Sequence, residues 1–167
     1  EDPMNLLFRM FLTLFLARRA TRLKPLDTAR KIMRVLPNDL DVQMHMNNGR
    51  YLSIMDLGRL DLIVRLGFWK VARKRGWFPI VGSAKIDYRR PLTVFQKFEM
   101  SSRIVGWDER WVFVEQEIVS NDKLCAHAMF KTMIRSQEGL VTPQDVMSAT
   151  GHPFPMPELS DEMKALL

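Results

Sequence analysis

Hydrophobic positions in the first half of the chain recur with the period of an α-helix. Within residues 48–66 the apolar side chains are spaced three, four and seven positions apart, at Leu52, Met55, Leu62, Ile63 and Leu66. This spacing places them on one face of a helix. Leu57 and Leu60 fall off that face, so we expect a helix that is apolar nearly all round and largely buried. Residues 68–75 predict a second, shorter helix that ends at Gly76.

The pattern changes to a period of two after residue 78, which predicts β-strands. The alternating runs cover residues 79–90, 97–106, 110–120 and 123–136. Their connections "WDE" and "ND" are short enough to require antiparallel hairpins. A buried helix and a sheet cannot bury their apolar faces alone, so we expect an α+β domain over residues 27–142, with the sheet covering the helix.

Two shorter regions are predicted from the positions of their prolines. Residues 27–36 are compatible with either a helix or a strand, which Pro37 ends. The C-terminal segment, residues 143–167, is rich in proline, with Pro143, Pro153, Pro155 and Pro157. We expect this segment to be extended and bound to the surface of the domain.

The N-terminal segment, residues 1–26, is apolar and basic. Residues 4–17, "MNLLFRMFLTLFLA", contain one charge, Arg9, and precede "RRATRLK". As a helix this run is about 21 Å long, short of the roughly 30 Å of a bilayer core. Three interpretations stay open: a helix packed on the domain or a partner subunit, an interfacial membrane helix with a basic flank, or a targeting segment.

Composition and charge narrow the classes of function. Hydrophobic residues make up 47% of the chain and charged residues 26%, as in globular proteins. The net charge is +6, but residues 1–34 hold eight Lys or Arg against three acids, and residues 35–167 hold seventeen against sixteen. The basic excess therefore belongs to the N-terminal segment. Because no nucleic-acid-binding pattern accompanies it, we expect no nucleic-acid partner.

Cysteine and histidine positions bear on compartment and metal binding. The single cysteine, Cys125, excludes an internal disulfide and favours a reducing compartment, so we expect a cytoplasmic protein, with or without membrane association. The three histidines, His45, His127 and His152, are too scattered for a zinc-binding pattern. We expect neither a metal nor a cofactor.

The densest polar cluster lies directly before the long helix. Residues 39–51, "DLDVQMHMNNGRY", bring two carboxylates, an imidazole and two adjacent asparagines to the helix start. Unpaired N–H groups at a helix N-terminus can face a developing oxyanion, while a nearby carboxylate attacks or activates water. Capping is the simpler interpretation, since Asp39, Asn47 and Asn48 are ordinary N-cap residue types.

The motif Asp-x-x-x-His-x-Asn-Asn before a helix that a sheet wraps resembles the hotdog-fold thioesterase superfamily. The stretches "NDLDVQMHMNNGRYL", "DLGR" and "GWDERW" are similar to 4-hydroxybenzoyl-CoA thioesterase-like and acyl-ACP thioesterase-like proteins, and more closely to a thioesterase-like subgroup. The resemblance covers residues 27–135. It implies a hotdog fold, an antiparallel sheet around a long central helix, and an acyl-CoA thioesterase that releases free acid and CoA. The alternative is a hotdog protein that binds acyl chains or acts as a scaffold without hydrolysis.

The resemblance also implies roles for individual residues. Asp41 matches the carboxylate used as nucleophile or general base, and Asn48 the helix-start residue whose backbone N–H polarises the thioester carbonyl. His45 matches an active-site histidine of the acyl-ACP branch. Gln43 stands where that branch carries a catalytic Asn, and this departure favours the simpler mechanism centred on Asp41.

Substrate contacts and assembly are expected around the same motif. The candidate substrate-binding residues are Gly49, Tyr51, Gly82, Ser83, Ala84, Arg89 and Arg90. In this family the site usually lies between subunits, so we place residues 82–84 on a second subunit, opposite Asp41. Arg89 and Arg90 are either solvated surface or a site for the phosphates of CoA. We expect acyl-CoA or acyl-ACP as the partner and a homodimer or homotetramer, with exposed aromatics at Trp107 and Trp111 on a partner surface.

Two further candidates have weaker support in the sequence. Cys125 and His127 are two positions apart on a predicted strand and could form a nucleophilic pair, although a buried strand cysteine is the more common case. Glu115 and Glu117 share a strand face with Trp111, which predicts a face that is solvated or covered by a partner.

Overall fold

The computed structural model describes residues 3–151, 155 and 157–167, with side chains from Leu6 onward. His152, one of the three histidines, and Pro153, one of the C-terminal prolines, lie outside the described residues. The helices are α1 (Pro3–Arg19), α2 (Asn48–Arg65), α3 (Phe68–Arg75), α4 (Pro143–Thr150) and α5 (Asp161–Lys164). The strands are β1 (Ala29–Arg34), β2 (Phe78–Tyr88), β3 (Lys97–Trp107), β4 (Val112–Ser120), β5 (Lys123–Ser136) and β6 (Gly139–Val141).

The strands form one antiparallel sheet in the order β1-β3-β4-β5-β2, and β6 adds to β5. The hairpins β3–β4 and β4–β5 are those that the short connections predict, because such loops leave no room for a crossover. Residues 27–36, which the sequence left open, form β1. The order leaves β1 at one edge of the sheet and β2 at the other.

The long helix α2 is the centre of the core. Its inward side chains pack with those of β3 and β5 in one cluster, including Tyr51, Ile54, Met55, Leu62, Phe98, Met100 and Phe130. At Gly58 an added Cβ would lie 2.6–2.7 Å from Gln116, Met100 and Ser102, so glycine allows α2 to approach the strands this closely. The arrangement confirms the predicted α+β class, with an antiparallel sheet around a long helix.

A buried polar group joins α2 to the sheet beside Gly58. The Gln116 amide donates to the backbone oxygen of Met55 at 3.0 Å and to Ser102 Oγ at 2.7 Å. Its carbonyl oxygen accepts a hydrogen bond from Arg59 at 2.8 Å. Since these bonds satisfy both ends of the amide, the helix is held in one position along the sheet rather than sliding on apolar contacts.

The outer face of the sheet is covered by the chain itself, which differs from the prediction. Met163 of α5 packs with Phe113 and Met129, and Trp111 packs at the edge of this cluster. Trp107 is also buried. The expectation of exposed tryptophans is therefore wrong. The C-terminal segment returns to the sheet and removes these side chains from water. Glu115 and Glu117, which we expected on a face that is solvated or covered by a partner, are partly exposed.

The prediction of an extended C-terminal segment is also wrong for much of its length. Pro143 begins α4 instead of breaking it, because proline is favoured at the first helical position. Thr142 is the N-cap, and its hydroxyl accepts a hydrogen bond from Asp145 N at 3.1 Å. The sequence "TPQD" therefore contains a capping signal that the count of prolines concealed.

The helix α1 packs on α2, and its large apolar side chains point outward. Arg9, Thr13 and Ala17 face the domain and are buried. Most of the leucines and phenylalanines between them are exposed, and Leu14 is partly buried. No helix among the described residues is both long and apolar enough to cross a membrane.

Candidate active site

The loop before α2 is a tight hairpin held by several backbone hydrogen bonds. Leu40 and Met46 form a β-bridge, and Asp41 N–H donates to the His45 carbonyl oxygen at 2.8 Å. Met44 adopts a left-handed conformation with φ of 61°, which is uncommon for a residue with a side chain. Met46 N–H donates to Leu92 O at 2.8 Å and fixes the loop to the segment after β2. The backbone thus holds Asp41 and His45 at the base of one turn.

The two carboxylates of this loop have different environments. Asp39 is 1% exposed, and its side chain accepts hydrogen bonds from Arg9 and from Leu36 N–H, both at 2.8 Å. Arg50 of α2 lies 3.4 Å away. Asp41 is partly exposed, and its Oδ1 accepts from Gln43 N–H at 2.8 Å. Among the described residues no group hydrogen-bonds Asp41 Oδ2, so that oxygen is available to a substrate or to water.

The start of α2 presents a backbone donor beside Asp41. Asn47 is the N-cap, and its side-chain oxygen accepts from Gly49 N–H at 2.8 Å. In the described part of the chain no acceptor is bonded to the N–H of Asn48, the first residue of the helix. The first N–H groups of a helix lack intrahelical partners and carry a partial positive charge. The N–H of Asn48 can therefore bind a negatively charged oxygen.

Asp41 and Asn48 line the same surface cleft, which has a volume of about 440 Å³. The cleft is completed by residues of the loop, of α2 and of the end of β2, including His45, Tyr51, Tyr88, Arg89 and Arg90. The structure therefore brings together six of the residues predicted from the sequence. These are Asp41, His45, Asn48, Tyr51, Arg89 and Arg90.

Tyr88 is a cleft residue that the sequence analysis missed. Its hydroxyl donates to the backbone oxygen of Asn48 at 3.0 Å, and its ring packs edge-on against Tyr51 at 5.3 Å between centroids. Burial raises the pKa of Tyr51 to about 12, so this hydroxyl stays protonated at neutral pH. Tyr88 is forty residues from Asn48 in sequence, and only the fold reveals their proximity.

Arg89 and Arg90 directly follow β2, and their side chains make different contacts beside the cleft. The Arg90 guanidinium donates to Leu124 O at 3.0 Å, and the backbone N–H groups of both arginines bond Cys125 O. The Arg89 side chain is 59% exposed and lies 3.9 Å from Asp87. Arg89 is therefore the more available cation for an anionic ligand.

The small residues predicted to contact substrate lie elsewhere in this chain. The space where a Cβ of Gly49 would sit is 3.2 Å from Asn47 Oδ1, so the capping side chain lies there. At Gly82 an added Cβ would lie 2.7 Å from the Trp111 ring. Ser83 and Ala84 follow on β2, away from the Asp41 cleft of the same chain. Their predicted position opposite Asp41 requires a second subunit and stays a prediction.

The other chemical candidates have structural roles. Cys125 is 2% exposed, and burial raises the pKa of its thiol, which disfavours a nucleophilic thiolate. His127 lies 3.1 Å from Glu115 on the outer face of the sheet. Within residues 3–151, 155 and 157–167, no group of three His, Cys, Asp or Glu side chains could hold a metal ion.

A separate apolar cavity of about 330 Å³ lies between α2, α3, α4 and the sheet. Its wall includes Leu62, Phe68, Val81 and Ile134, and two charged residues of α2, Asp56 and Arg59, reach it. Asp56 is eight residues after Asn48, about 12 Å along the helix axis. The cavity is therefore within the length of an acyl or pantetheine chain from the cleft.

Comparison with known proteins identifies the family. Residues 35–165 match a protein family described as "Thioesterase-like superfamily". Protein THEM6 of Danio rerio is 42% identical over 87 residues, which are 52% of this chain and 43% of that protein. Protein THEM6 of Drosophila melanogaster is 26% identical over 167 residues, which are 98% of this chain and 84% of that protein. The match thus spans less than half of the zebrafish relative.

Solved structures with this fold confirm the predicted hotdog architecture. A probable thioesterase from Bartonella henselae has a TM-score of 0.62 at 22% identity, covering 68% of this chain and 95% of its own. The YbaW probable thioesterase from Escherichia coli has a TM-score of 0.67 at 18% identity, covering 72% of this chain and 94% of its own. At these identities the likeness concerns the fold alone.

Proposed function

The chain belongs to the thioesterase-like superfamily, and from this premise we propose that it hydrolyses an acyl-CoA to the free acid and CoA. The observation that carries the proposal is the shared cleft of Asp41 and the start of α2. One side offers a carboxylate oxygen without a hydrogen-bond partner among the described residues, and the other side offers the N–H of Asn48. These are the two groups that thioester hydrolysis requires.

The chemistry needs little else from the protein. A thioester carbonyl is reactive, and the thiol that leaves has a pKa near 8.5, so a strong general acid is unnecessary. Asp41 either attacks the carbonyl carbon or takes a proton from the attacking water. The carbonyl oxygen becomes an oxyanion as the new bond forms, and the N–H of Asn48 stabilises it. Collapse of this intermediate breaks the carbon–sulfur bond and releases the thiolate of CoA. When water is the nucleophile this step gives the free acid directly. When Asp41 is the nucleophile it leaves an acyl–Asp41 anhydride, which water then hydrolyses to the free acid and the regenerated carboxylate.

The neighbouring side chains position this pair. Tyr88 holds the backbone oxygen of Asn48, which fixes the peptide at the helix start. His45 lies at the base of the Asp41 turn and lines the cleft. Gln43 supplies a backbone N–H to Asp41 Oδ1, so its side chain is not needed for this mechanism. We propose Asp41 and Asn48 as the reacting groups and His45 as a polar neighbour of the substrate.

The substrate class follows from the charge and polarity around the cleft. Arg89 and Arg90 provide positive charge for the phosphates of CoA. The apolar cavity beside α2 suits the hydrocarbon part of an acyl group. We therefore propose an apolar acyl chain on a CoA carrier, and we propose that the reaction takes place in the cytoplasm, since the one cysteine is a buried free thiol.

A second subunit is expected at β2. The other edge strand, β1, carries Arg30, Lys31 and Arg34, and charged side chains on an edge disfavour pairing. β2 is an eleven-residue edge strand whose apolar residues Phe78, Ile80 and Val81 are exposed. We propose that two copies pair along β2 in a homodimer, which would bring Gly82, Ser83 and Ala84 of the partner subunit towards Asp41.

A panel of acyl-CoA substrates tests the activity. The full chain is incubated with short-, medium-, long-chain and aromatic acyl-CoAs, and free CoA thiol is followed with a thiol reagent. We expect turnover of at least one substrate, well above a sample of Asp41→Asn purified in the same way. Equal rates for the two samples would exclude Asp41. Binding of acyl-CoA without turnover by either sample would favour the non-hydrolytic hotdog alternative.

Light scattering coupled to gel filtration tests the assembly. We expect the mass of a dimer or of a dimer of dimers at micromolar concentration, and a monomer for Phe78→Glu, which places a charge on the apolar edge. Lys85→Glu, on the same strand but at a charged position, is the matched control and should keep the mass of the wild type. A monomeric wild type would contradict the proposal.

A further inference from the structure

The helix α1 is amphipathic, but its orientation is the reverse of that in an ordinary surface helix. The buried side chains recur every four residues at Arg9, Thr13 and Ala17, and two of these are polar. The opposite side carries six large apolar residues that are 45–67% exposed: Leu7, Phe8, Phe11, Leu12, Phe15 and Leu16. We define these six residues as the apolar face of α1. Soluble monomers rarely expose so continuous a row of large apolar side chains.

Specific polar contacts hold this orientation. Arg9 donates to Asp39 at 2.8 Å and to the backbone oxygen of Arg34 at 3.3 Å, so rotation of the helix would leave a buried carboxylate without its partner. After the helix, Arg22 donates to Val64 O at 2.8 Å, and Leu23 N–H donates to Arg65 O at 3.2 Å. The helix at Arg9 and the segment that follows it are therefore tied to the domain, and the apolar face cannot turn inward without breaking these bonds.

Cations continue the apolar face at its C-terminal end. Arg18 is seven residues after Phe11, two helical turns along the same side, and the Arg19 guanidinium lies 4.1 Å from the centre of the Phe15 ring. Arg18 and Arg22 also line a surface pocket with Lys70, Arg73 and Lys74 of α3. We define these five residues as the basic pocket. The remaining wall of the pocket is Val64 and Trp69, so no acidic side chain contributes to it.

We propose that α1 and the basic pocket bind the surface of an anionic phospholipid bilayer. The apolar face enters the boundary between headgroups and acyl chains, with the helix axis parallel to the membrane. The basic pocket binds lipid phosphates at the same level. This choice of occupant rests on charge complementarity, because a second copy of this chain would bring the same five cations together. The seventeen residues of α1 measure about 25 Å, and the buried polar side at Arg9 and Thr13 suits a helix that lies on the bilayer surface.

The proposal is independent of thioester hydrolysis, and its test does not use activity. The full chain is mixed with vesicles of neutral phosphatidylcholine, or of phosphatidylcholine with anionic phosphatidylglycerol, and the bound fraction is measured by co-sedimentation. We expect binding to the anionic vesicles at least about tenfold stronger than to the neutral ones, since several basic residues near a charged leaflet each contribute. High salt should reduce it, because the phosphates are screened.

Matched variants separate the two parts of the surface. Phe8→Ser with Phe11→Ser should lower binding at least about tenfold, since two large apolar groups no longer enter the bilayer. The control is Ile32→Ser with Phe95→Ser, two equally exposed apolar residues outside α1. A second variant removes three cations of the basic pocket and should lower binding to anionic vesicles: Lys70→Gln, Arg73→Gln and Lys74→Gln together. Its control removes three cations elsewhere, changes the net charge equally and should not lower binding: Lys97→Gln, Lys123→Gln and Arg135→Gln together.

Three outcomes would overturn the proposal. The first is equal binding to neutral and anionic vesicles, and the second is equal loss with the control variants. The third is that the wild type does not bind either kind of vesicle and that the variant Phe8→Ser with Phe11→Ser has a lower oligomeric mass than the wild type. That result would make the apolar face an interface between copies of the chain. Circular dichroism of each variant establishes that it is folded.

Discussion

Asp39 and Asp41 are two residues apart, and the structure gives them opposite surroundings. Asp39 is buried and bonded to α1, to the start of α2 and to the backbone before it. Asp41 is partly exposed in a cleft and is bonded to the backbone of its own turn. A buried carboxylate engaged by two arginines and a backbone N–H is a poor nucleophile or base. The difference supports the proposal that Asp39 holds the loop in place and that Asp41 is the reacting carboxylate.

The buried contacts of Asp39 also explain how the loop can hold one residue in an uncommon backbone conformation and still be fixed in place. Asp39 ties three segments together at the base of the loop, and the hairpin above it keeps Met44 in a left-handed conformation. A loop that is fixed at its base can present Asp41 and the start of α2 in constant relation, which preorganised catalysis requires.

The largest effect is expected from Asp41→Asn. The change removes the charge and the basicity but keeps the shape, so hydrolysis of the best acyl-CoA should fall by about 10²–10⁴-fold. The free energy of unfolding should stay within about 0.5 kcal/mol of the wild type, as for surface substitutions. The measurements are initial rates of thiol release and urea denaturation. Asp122→Asn, at an exposed turn, is the control, and retention of most activity in Asp41→Asn would remove Asp41 from the mechanism.

Asp39→Asn should have the opposite profile. Loss of this charge leaves Arg9 buried without its partner, which costs about 3–5 kcal/mol of stability. Urea denaturation measures this loss, and the rate per folded molecule at low temperature should fall far less than in Asp41→Asn. The control is Glu99→Gln, whose carboxylate pairs with Arg30 at the surface, and which should cost under about 1 kcal/mol because both side chains are exposed. A stable but inactive Asp39→Asn would reverse the assignment of the two carboxylates.

Gly58→Ala tests whether the anchoring extends to the position of α2 on the sheet. Alanine normally stabilises a helix interior by up to about 1 kcal/mol relative to glycine. Here its methyl group would meet Gln116, Met100 and Ser102, so we expect destabilisation of about 1–3 kcal/mol. Thermal unfolding measures the sign of the change. A stabilised variant would mean that α2 has room to shift, and the start of the helix would then not be held by the core.

The smallest effect is expected from the cap that lies between the two carboxylates and the helix. Asn47→Ala removes the acceptor for Gly49 N–H and should cost about 1 kcal/mol of stability. Asn47→Asp keeps an acceptor and should retain most of it. Both variants leave the Asn48 N–H and Asp41 in place, so the hydrolysis rate of folded protein should change by no more than a few-fold. A loss comparable with Asp41→Asn would mean that the Asn47 side chain takes part in the chemistry.

Periodicity and short connections predicted most of the secondary structure. The helix over residues 48–66 corresponds to α2, and residues 68–75 form α3. The strand over residues 123–136 is β5, and its hairpin with β4 follows from a two-residue connection. These features depend on side chains that are neighbours in sequence. Where two local signals competed, as at Pro143 between chain breaking and a helix start, the prediction was wrong.

The residues of the candidate site could be identified from the sequence, but the different surroundings of Asp39 and Asp41 could not. Residues 39–51 alone identify the polar loop and the helix start, and their resemblance to a known motif selects Asp41 and Asn48. The pairing of Asp39 with Arg9 joins residues thirty positions apart, and Tyr88 meets Asn48 across forty. The direction of the apolar face of α1 likewise follows from the one buried charge on its other side. Such contacts are decided by burial and pairing across the folded chain, because the cost of an unpaired buried charge exceeds any local preference of the residues that carry it.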